Sequence, residues 1–462
     1  MKRLIFCASI LMSLAACKNS GDGQLIGVTN KTKFVTFTPY GMVYIPSGNL
    51  MLGMSENDPS LSFAPQTRSV TVNSFWMDET EITNNEYRQF VFWVRDSIAH
   101  VLLGEAEITE AEKYGHFLKH KKGELAGELI EPRLINWKEE IPWKSNNEDV
   151  KQALSPLFTT INTRYYHYRP LGINAAKMNY EYWTFDYDEA AKKEKATSDV
   201  GGMFANRPSQ VNGDLSKFIR REEVNIYPDT LVWIYEFSYS NNETMTMNYF
   251  SHPQYTHYPV VGVNWLQSKA FCHWRSHQRN VWLNSRGYPI EMDFSLPSEV
   301  EWEWAARGGL QGSPYPWGGP YPANQNGCFL ANFKPQRGNY TADGFLYPTV
   351  VAYYIPNDYG LYDMSGNVAE WCLDAFSSSA SSFISDMNPV YKYNATKDDK
   401  PERKMKVVRG GSWKDISKYI TVHMRDYQYQ DSCTSYIGFR CSQPATVNPK
   451  DANKGSGSKI YR

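Results

Sequence analysis

Apolar and polar positions along the chain fall into short runs that predict small strands and a few amphipathic helices. Met42-Val-Tyr-Ile45 is an apolar run closed by Pro46 and Gly48, which marks a strand and a turn. Val70 and Val72 alternate with polar neighbours and predict another strand. Thr83 with Glu86 three residues on forms a capping box, and Tyr87, Phe90, Val91 and Val94 then repeat along one helical face. Pro259 to Trp265 predicts a strand leading into a helix from Leu266 to about His277. Pro297 and Ser298 open a further helix, which Arg307-Gly-Gly309 closes.

From about residue 97 to residue 250 the pattern changes. Glu105 to Glu128 is rich in Glu, Lys and Ala and predicts an exposed helix. The following stretch mixes charge with aromatics, as in Trp137-Lys-Glu-Glu-Ile-Pro-Trp143 and Tyr180-Glu-Tyr-Trp-Thr-Phe-Asp-Tyr187. Trp233 to Tyr239 alternates like a strand. Exposed aromatics beside charge mark partner surfaces, so Trp137 and Trp143 are candidate partner-binding residues. A subdomain with its own small core is the companion expectation. The final stretch, containing Lys454-Gly-Ser-Gly-Ser-Lys459, reads as a flexible tail.

The N-terminus reads as an export signal. Lys2 and Arg3 precede an apolar run from Leu4 to Leu14, shorter than the roughly 20 residues of a spanning helix. Leu14-Ala-Ala-Cys17 has the form of a lipoprotein box, with Cys17 as the lipidated first mature residue. Acylation anchors a chain without spanning the membrane. Lys18 carries no acidic retention signal, so the expected location is the outer membrane, lipid-anchored, on its periplasmic face. A formal net charge of −1 gives no field that draws nucleic acid. Beyond Cys17, five cysteines remain, Cys272, Cys328, Cys372, Cys433 and Cys441, and sequence leaves their pairing open.

Several blocks occur in a fixed order: Glu79-Thr-Glu-Ile-Thr-Asn84, Pro259-Val-Val-Gly-Val-Asn-Trp265, Leu296-Pro-Ser-Glu-Val-Glu-Trp302, Gly366-Asn-Val-Ala-Glu-Trp371, Arg409-Gly-Gly-Ser-Trp413 and Gly438-Phe-Arg440. In these the chain resembles the formylglycine-generating-enzyme (sulfatase-modifying factor) superfamily. The resemblance implies an α+β, C-type-lectin-related fold over 36–100 and 250–442, with 101–249 as a large insertion. Residues 1–16 are then the signal peptide, 17–35 the lipidated tether and 443–462 the tail. It also implies structural calcium at two places, one at Asn332 and Asp343 with the carbonyls of Phe333 and Phe345, the other at Asn367 and Glu370. Active members bind copper(I) through two cysteines after Gly-Gly-Ser, and soft thiolates suit that ion. Here those positions fall on Asp415 and Ile420, so the expectation is no catalytic residue, no required cofactor and no enzyme. An iron-dependent branch needs His-x3-His-x-Glu; His273-Trp-Arg-Ser-His277 supplies the pair, but Arg279 stands where the acid is needed. Glu299, Glu301 and Glu303 read as acids complementing a helix N-terminus.

The signal, the tether, the degenerate core and the insertion together closely resemble the gliding-motility lipoprotein K (GldK/PorK) family of Bacteroidetes. The resemblance extends through Pro132-Arg-Leu-Ile-Asn-Trp137 and Asn248-Tyr-Phe-Ser-His-Pro253. It implies a scaffold of the type IX secretion system, a periplasmic ring built by self-association and with a GldN/PorN-type partner. The sister lipoprotein J, a formylglycine-generating-enzyme-like oxidase and a lectin-like ligand-binding lipoprotein are the alternatives.

Overall fold

The computed structural model describes residues 37–53, 67–106, 115–120, 129–130, 133–159, 172–190, 215–238, 245, 248–335 and 337–446. Cys17, the signal, the tether up to residue 35 and residues 447–462 lie outside them.

Strands β1 (Met42–Ile45), β2 (Gly48–Leu52), β3 (Arg68–Val72) and β4 (Phe75–Asp78) form two small antiparallel units, β1 on β4 and β2 on β3. Helix α1 (Asn84–Glu105) starts at the predicted cap: Thr83 Oγ1 accepts the Glu86 amide at 3.3 Å, and Glu86 Oε2 accepts the Thr83 amide at 2.8 Å. Its predicted stripe is buried, and Tyr87 stacks on Phe271 with ring centroids 5.6 Å apart.

In the insertion, α2 (Glu148–Leu154) precedes a hairpin of β5 (Asn179–Phe185) and β6 (Ile219–Asn225). Helix α3 (Val232–Glu236) follows, where alternation predicted a strand. Trp233 and Phe237 are four residues apart, a spacing that fits both periods, and both pack against Trp413. Of the helix expected over Glu105 to Glu128, Glu105 ends α1 and the described residues 115–120 are not helical. Phe117 and Lys119 instead make single bridges to Ile135 and Leu129. Among the described residues the insertion has no core of its own. Val150, Leu154, Leu157, Met178, Tyr180, Tyr182 and Ile226 join the cluster built by α1 and the central helix.

That central helix, α4 (Trp265–Ser285), runs eight residues past the expected end, since Gly287 is the first helix-stopping residue. The stretch before it, expected as a strand, bends at Gly262 (φ +74°) and holds only a single bridge, Thr83 to Pro259. Helix α5 (Glu299–Arg307) is capped by Ser298 and ends on left-handed Gly308, as the sequence predicts. The second half is mostly loop around a four-stranded sheet ordered β10-β7-β8-β9, made of β7 (Ala369–Ala375), β8 (Met405–Arg409), β9 (Asp426–Tyr429) and β10 (Ile437–Gly438). Finally, β11 (Ser442–Pro444) pairs with β4, so Gln443 and Pro444 belong to the sheet rather than to the tail.

Candidate functional site

Strand β8 ends in Arg409, and the Gly410-Gly-Ser-Trp turn follows it directly. Gly411 sits at φ +64°, and a Cβ there would lie 2.6 Å from the Tyr419 carbonyl oxygen, so only glycine fits. The turn is closed by Asp415, whose Oδ2 accepts the Ser412 amide at 3.0 Å and the Ser412 hydroxyl at 2.6 Å. Ile420 is fully buried against Tyr315, Ala331 and Phe333. Thus one position expected to carry a thiolate is a turn-closing carboxylate, and the other is core hydrocarbon. The space beside Gly411, Asp415 and Tyr419 is a cavity of about 30 Å³, room for a water rather than for a substrate. Trp413 lies under α3 of the insertion, and Lys414 pairs with Glu236 at 2.6 Å, so the insertion caps this turn.

Arg409 is itself fully buried in an ionic network that sequence reasoning missed. Glu303 Oε2 receives Arg409 Nη2 at 2.6 Å, and Glu303 Oε1 receives Arg307 Nη2 at 2.6 Å. Glu299 bridges Arg409, at 3.1 Å, and Arg425. Burial raises the pKa of Glu303, but the Arg409 and Arg307 guanidiniums outweigh it and hold the carboxylate below its ordinary value. The acids of α5 therefore do more than complement a helix end. Glu301 alone acts as a cap, accepting the Ser298 amide at 2.8 Å.

The residues expected to hold calcium separate into two cases. Asp343 accepts the amides of Phe333 at 2.8 Å and Phe345 at 3.3 Å, and Asn332 Oδ1 is buried without a hydrogen-bond partner among the described residues. An unpaired buried carbonyl oxygen is a group that a hard cation could satisfy. Glu370 does not fit. Its Oε1 receives Arg440 Nη2 at 2.6 Å, and its Oε2 receives Arg440 Nε and Trp302 Nε1, each at 2.7 Å. Asn367 spends its amide on Glu81, at 2.7 Å, and its Oδ1 on the Thr349 amide, at 2.9 Å. Among the described residues no group of three or more His, Cys, Asp or Glu side chains is placed to hold a metal.

The histidine pair of α4 is structural in its surroundings. His273 Nδ1 lies 3.1 Å from the Tyr180 hydroxyl, and its ring packs on Tyr182, while His277 is exposed. Among the described cysteines, Cys272 and Cys441 bring their Sγ atoms to 3.4 Å in the buried core. Trp137 and Trp143 both pack on α1 and stay partly exposed. Trp137 stacks on Trp93 with centroids 5.0 Å apart, and the Arg95 guanidinium lies 4.6 Å over Trp143.

Comparison with known proteins gives this arrangement a family. Inactive Cα-formylglycine-generating enzyme 2 of Bos taurus is 34% identical over 198 residues, covering 42% of this chain and 52% of that protein. The formylglycine-generating enzyme of Streptomyces coelicolor is 31% identical over 199 residues, covering 42% of this chain and 55% of that one. The chain thus spans about half the length of these curated relatives. Among solved structures, PvdO from Pseudomonas aeruginosa aligns at a TM-score of 0.43 and 15% identity, over 87% of this chain and 94% of that one. Active and inactive relatives match about equally well, so the donor set around Ser412, and not the degree of similarity, speaks to catalysis. The profile of the sulfatase-modifying factor enzyme 1-like domain matches residues 29–445, and the chain belongs to that formylglycine-generating-enzyme-like family, with its α+β fold.

Proposed function

We propose that this chain is a non-catalytic scaffold, an outer-membrane lipoprotein of the type IX secretion and gliding machinery. It is anchored through lipidated Cys17, faces the periplasm and assembles into a ring with a GldN/PorN-type partner. The observation that carries the loss of catalysis is the donor set. Asp415 is committed to Ser412, and Ile420 is sealed in the core, where copper(I) chemistry needs two soft thiolates. That one relative is described as an inactive formylglycine-generating enzyme supports a non-catalytic role for such a domain. The scaffold reading draws further support from the insertion, which packs into the common core and offers Trp137 and Trp143 at the surface. A lipid anchor confines the search for neighbours to one leaflet, and a closed ring needs only one heterologous interface repeated.

A direct test of the non-catalytic half is copper(I) competition. The mature chain, mixed with copper(I) and a chromophoric chelator, should leave the metal with the chelator. It should also leave the cysteine of a sulfatase-motif peptide unoxidised. Retention of one tightly held copper(I) per chain, or conversion of that cysteine to formylglycine, would contradict the proposal.

A further inference from the structure

The first described residue, Phe37, is pinned to the C-terminal half of α4. Its amide donates to Glu291 Oε1 at 3.4 Å, and its carbonyl oxygen accepts Arg279 Nη2 at 2.8 Å. Its ring meets Trp282 and Tyr288 edge-on, with centroids 5.7 and 4.8 Å apart. The chain that comes from Cys17 therefore joins the folded body at this corner.

Hydrocarbon covers the corner. Tyr40, Trp282, Ile290 and Met292 are 56%, 40%, 71% and 54% exposed. The acid between Ile290 and Met292 points the other way. Glu291 is held by Arg279 at 2.5 Å, and its side chain is only 10% exposed. Water selects the reverse arrangement, with charge outside and hydrocarbon inside. Arg275 is likewise turned inward, onto Asp78 at 2.8 Å. Arg286 stays exposed and lies 4.9 Å over the Trp282 ring. The next acid along the chain, Asp293, lines a separate cavity against the β5–β6 hairpin.

We propose that this corner, made of Tyr40, Trp282, Ile290 and Met292 with Arg286, rests in the headgroup layer of the membrane that holds the lipid anchor. The inference rests on the anchored reading given above. Its chemistry fits a lipid surface. Trp and Tyr carry a polar edge on an apolar ring and concentrate at the membrane–water boundary. An arginine beside them lays its stem along hydrocarbon and keeps its charged head among the phosphates. Residues 17–36 reach at most about 70 Å when fully extended, and they end at this corner, so the anchor brings it to the leaflet ahead of the rest of the body. Apolar side chains seated at the boundary then add to the hold of the acyl group.

The test reads which tryptophan touches lipid. The mature chain is isolated from membranes, and the acyl groups on Cys17 are read by mass spectrometry. It is then reconstituted into vesicles of phosphatidylethanolamine and phosphatidylglycerol, with and without a phosphatidylcholine brominated near the headgroup end of its acyl chains. Bromine quenches tryptophan only at close contact. The brominated lipid should remove part of the wild-type tryptophan emission. Trp282→Phe, which keeps an apolar ring, should lose most of that quenching, and Trp137→Phe should keep it, with unchanged circular dichroism in both. An acylated chain that is not quenched, or one quenched equally in Trp282→Phe, overturns the inference and leaves the anchor standing. A chain without acyl groups at Cys17 overturns the anchored reading itself, and this inference with it.

Discussion

Replacing Glu303 by glutamine tests whether the buried ionic network is what holds the Arg-Gly-Gly-Ser-Trp turn in place. The substitution keeps size and shape but removes the one charge that two guanidiniums share. Glu303 Oε1 also accepts the Gly53 amide at 3.1 Å, so the network ties α5 to β2 as well as to β8. In the variant, one amide N–H would face a guanidinium N–H, donor against donor. Arg409 keeps its bonds to the Val422 and Met424 carbonyls, both 3.0 Å, and its contact with Glu299. Breaking a buried pair costs about 3–5 kcal/mol, a large part of the roughly 5–15 kcal/mol that holds a domain folded. Urea unfolding followed by circular dichroism should show a loss of that size, with a thermal midpoint lower by at least about 5 °C. The pH dependence carries a sign. Glu303 is held ionised in the folded state by the two arginines, so its contribution is fully present above the ordinary glutamate pKa and is lost as pH falls below it. The gap between wild type and variant should therefore narrow from pH 7 to pH 4. Combining Glu303→Leu with Arg409→Met should cost less than the sum of the two, because the charges leave together. A cost below about 1 kcal/mol for Glu303→Gln, or a gap indifferent to pH, would refute the reasoning.

Replacing Trp137 and Trp143 with alanine should weaken co-purification of the partner by several-fold while leaving the fold intact, because both rings pack at the edge of α1 rather than in the core; unchanged co-purification from cell extracts would remove the insertion from the interface. Acid should loosen the start of the insertion. His116 lies 2.9 Å from His100 through their Nδ1 atoms, and its pKa is pushed down to about 4, by burial first and by His100 second. The folded state thus holds it neutral, and stability is lost as pH falls from about 6.5 towards 4. The thermal midpoint of wild type should drop more between pH 7 and pH 5 than that of His116→Phe, and equal drops would count against the histidine pair.

Local signals were legible where one physical rule acted alone. The caps of α1 and α5 were readable because Thr83 with Glu86, and Ser298 with Glu301, satisfy orphan amides within a single turn. The left-handed Gly308 was readable for the same reason. Pattern reading failed where tertiary contacts decide the outcome. Trp233 and Phe237 fit a strand or a helix equally, and packing on Trp413 selects the helix. The acids of α5 looked sufficient as a helix-end complement because their partners Arg409 and Arg425 lie more than a hundred residues away. At the candidate site, the absence of thiolates was visible in sequence at Asp415 and Ile420. What those residues do instead, closing a turn and filling a core, needed the fold. Glu370 and Arg440 lie in two blocks that match the family, and only the fold shows that their side chains pair with each other.

The most direct test of the scaffold reading is the size and composition of the native assembly, gently extracted from outer membranes and viewed by negative-stain electron microscopy. The account predicts large rings containing this chain and a second protein of the GldN/PorN type. A lone monomer under those conditions would contradict it and return attention to the turn at Ser412 and Asp415 as a ligand or catalytic site.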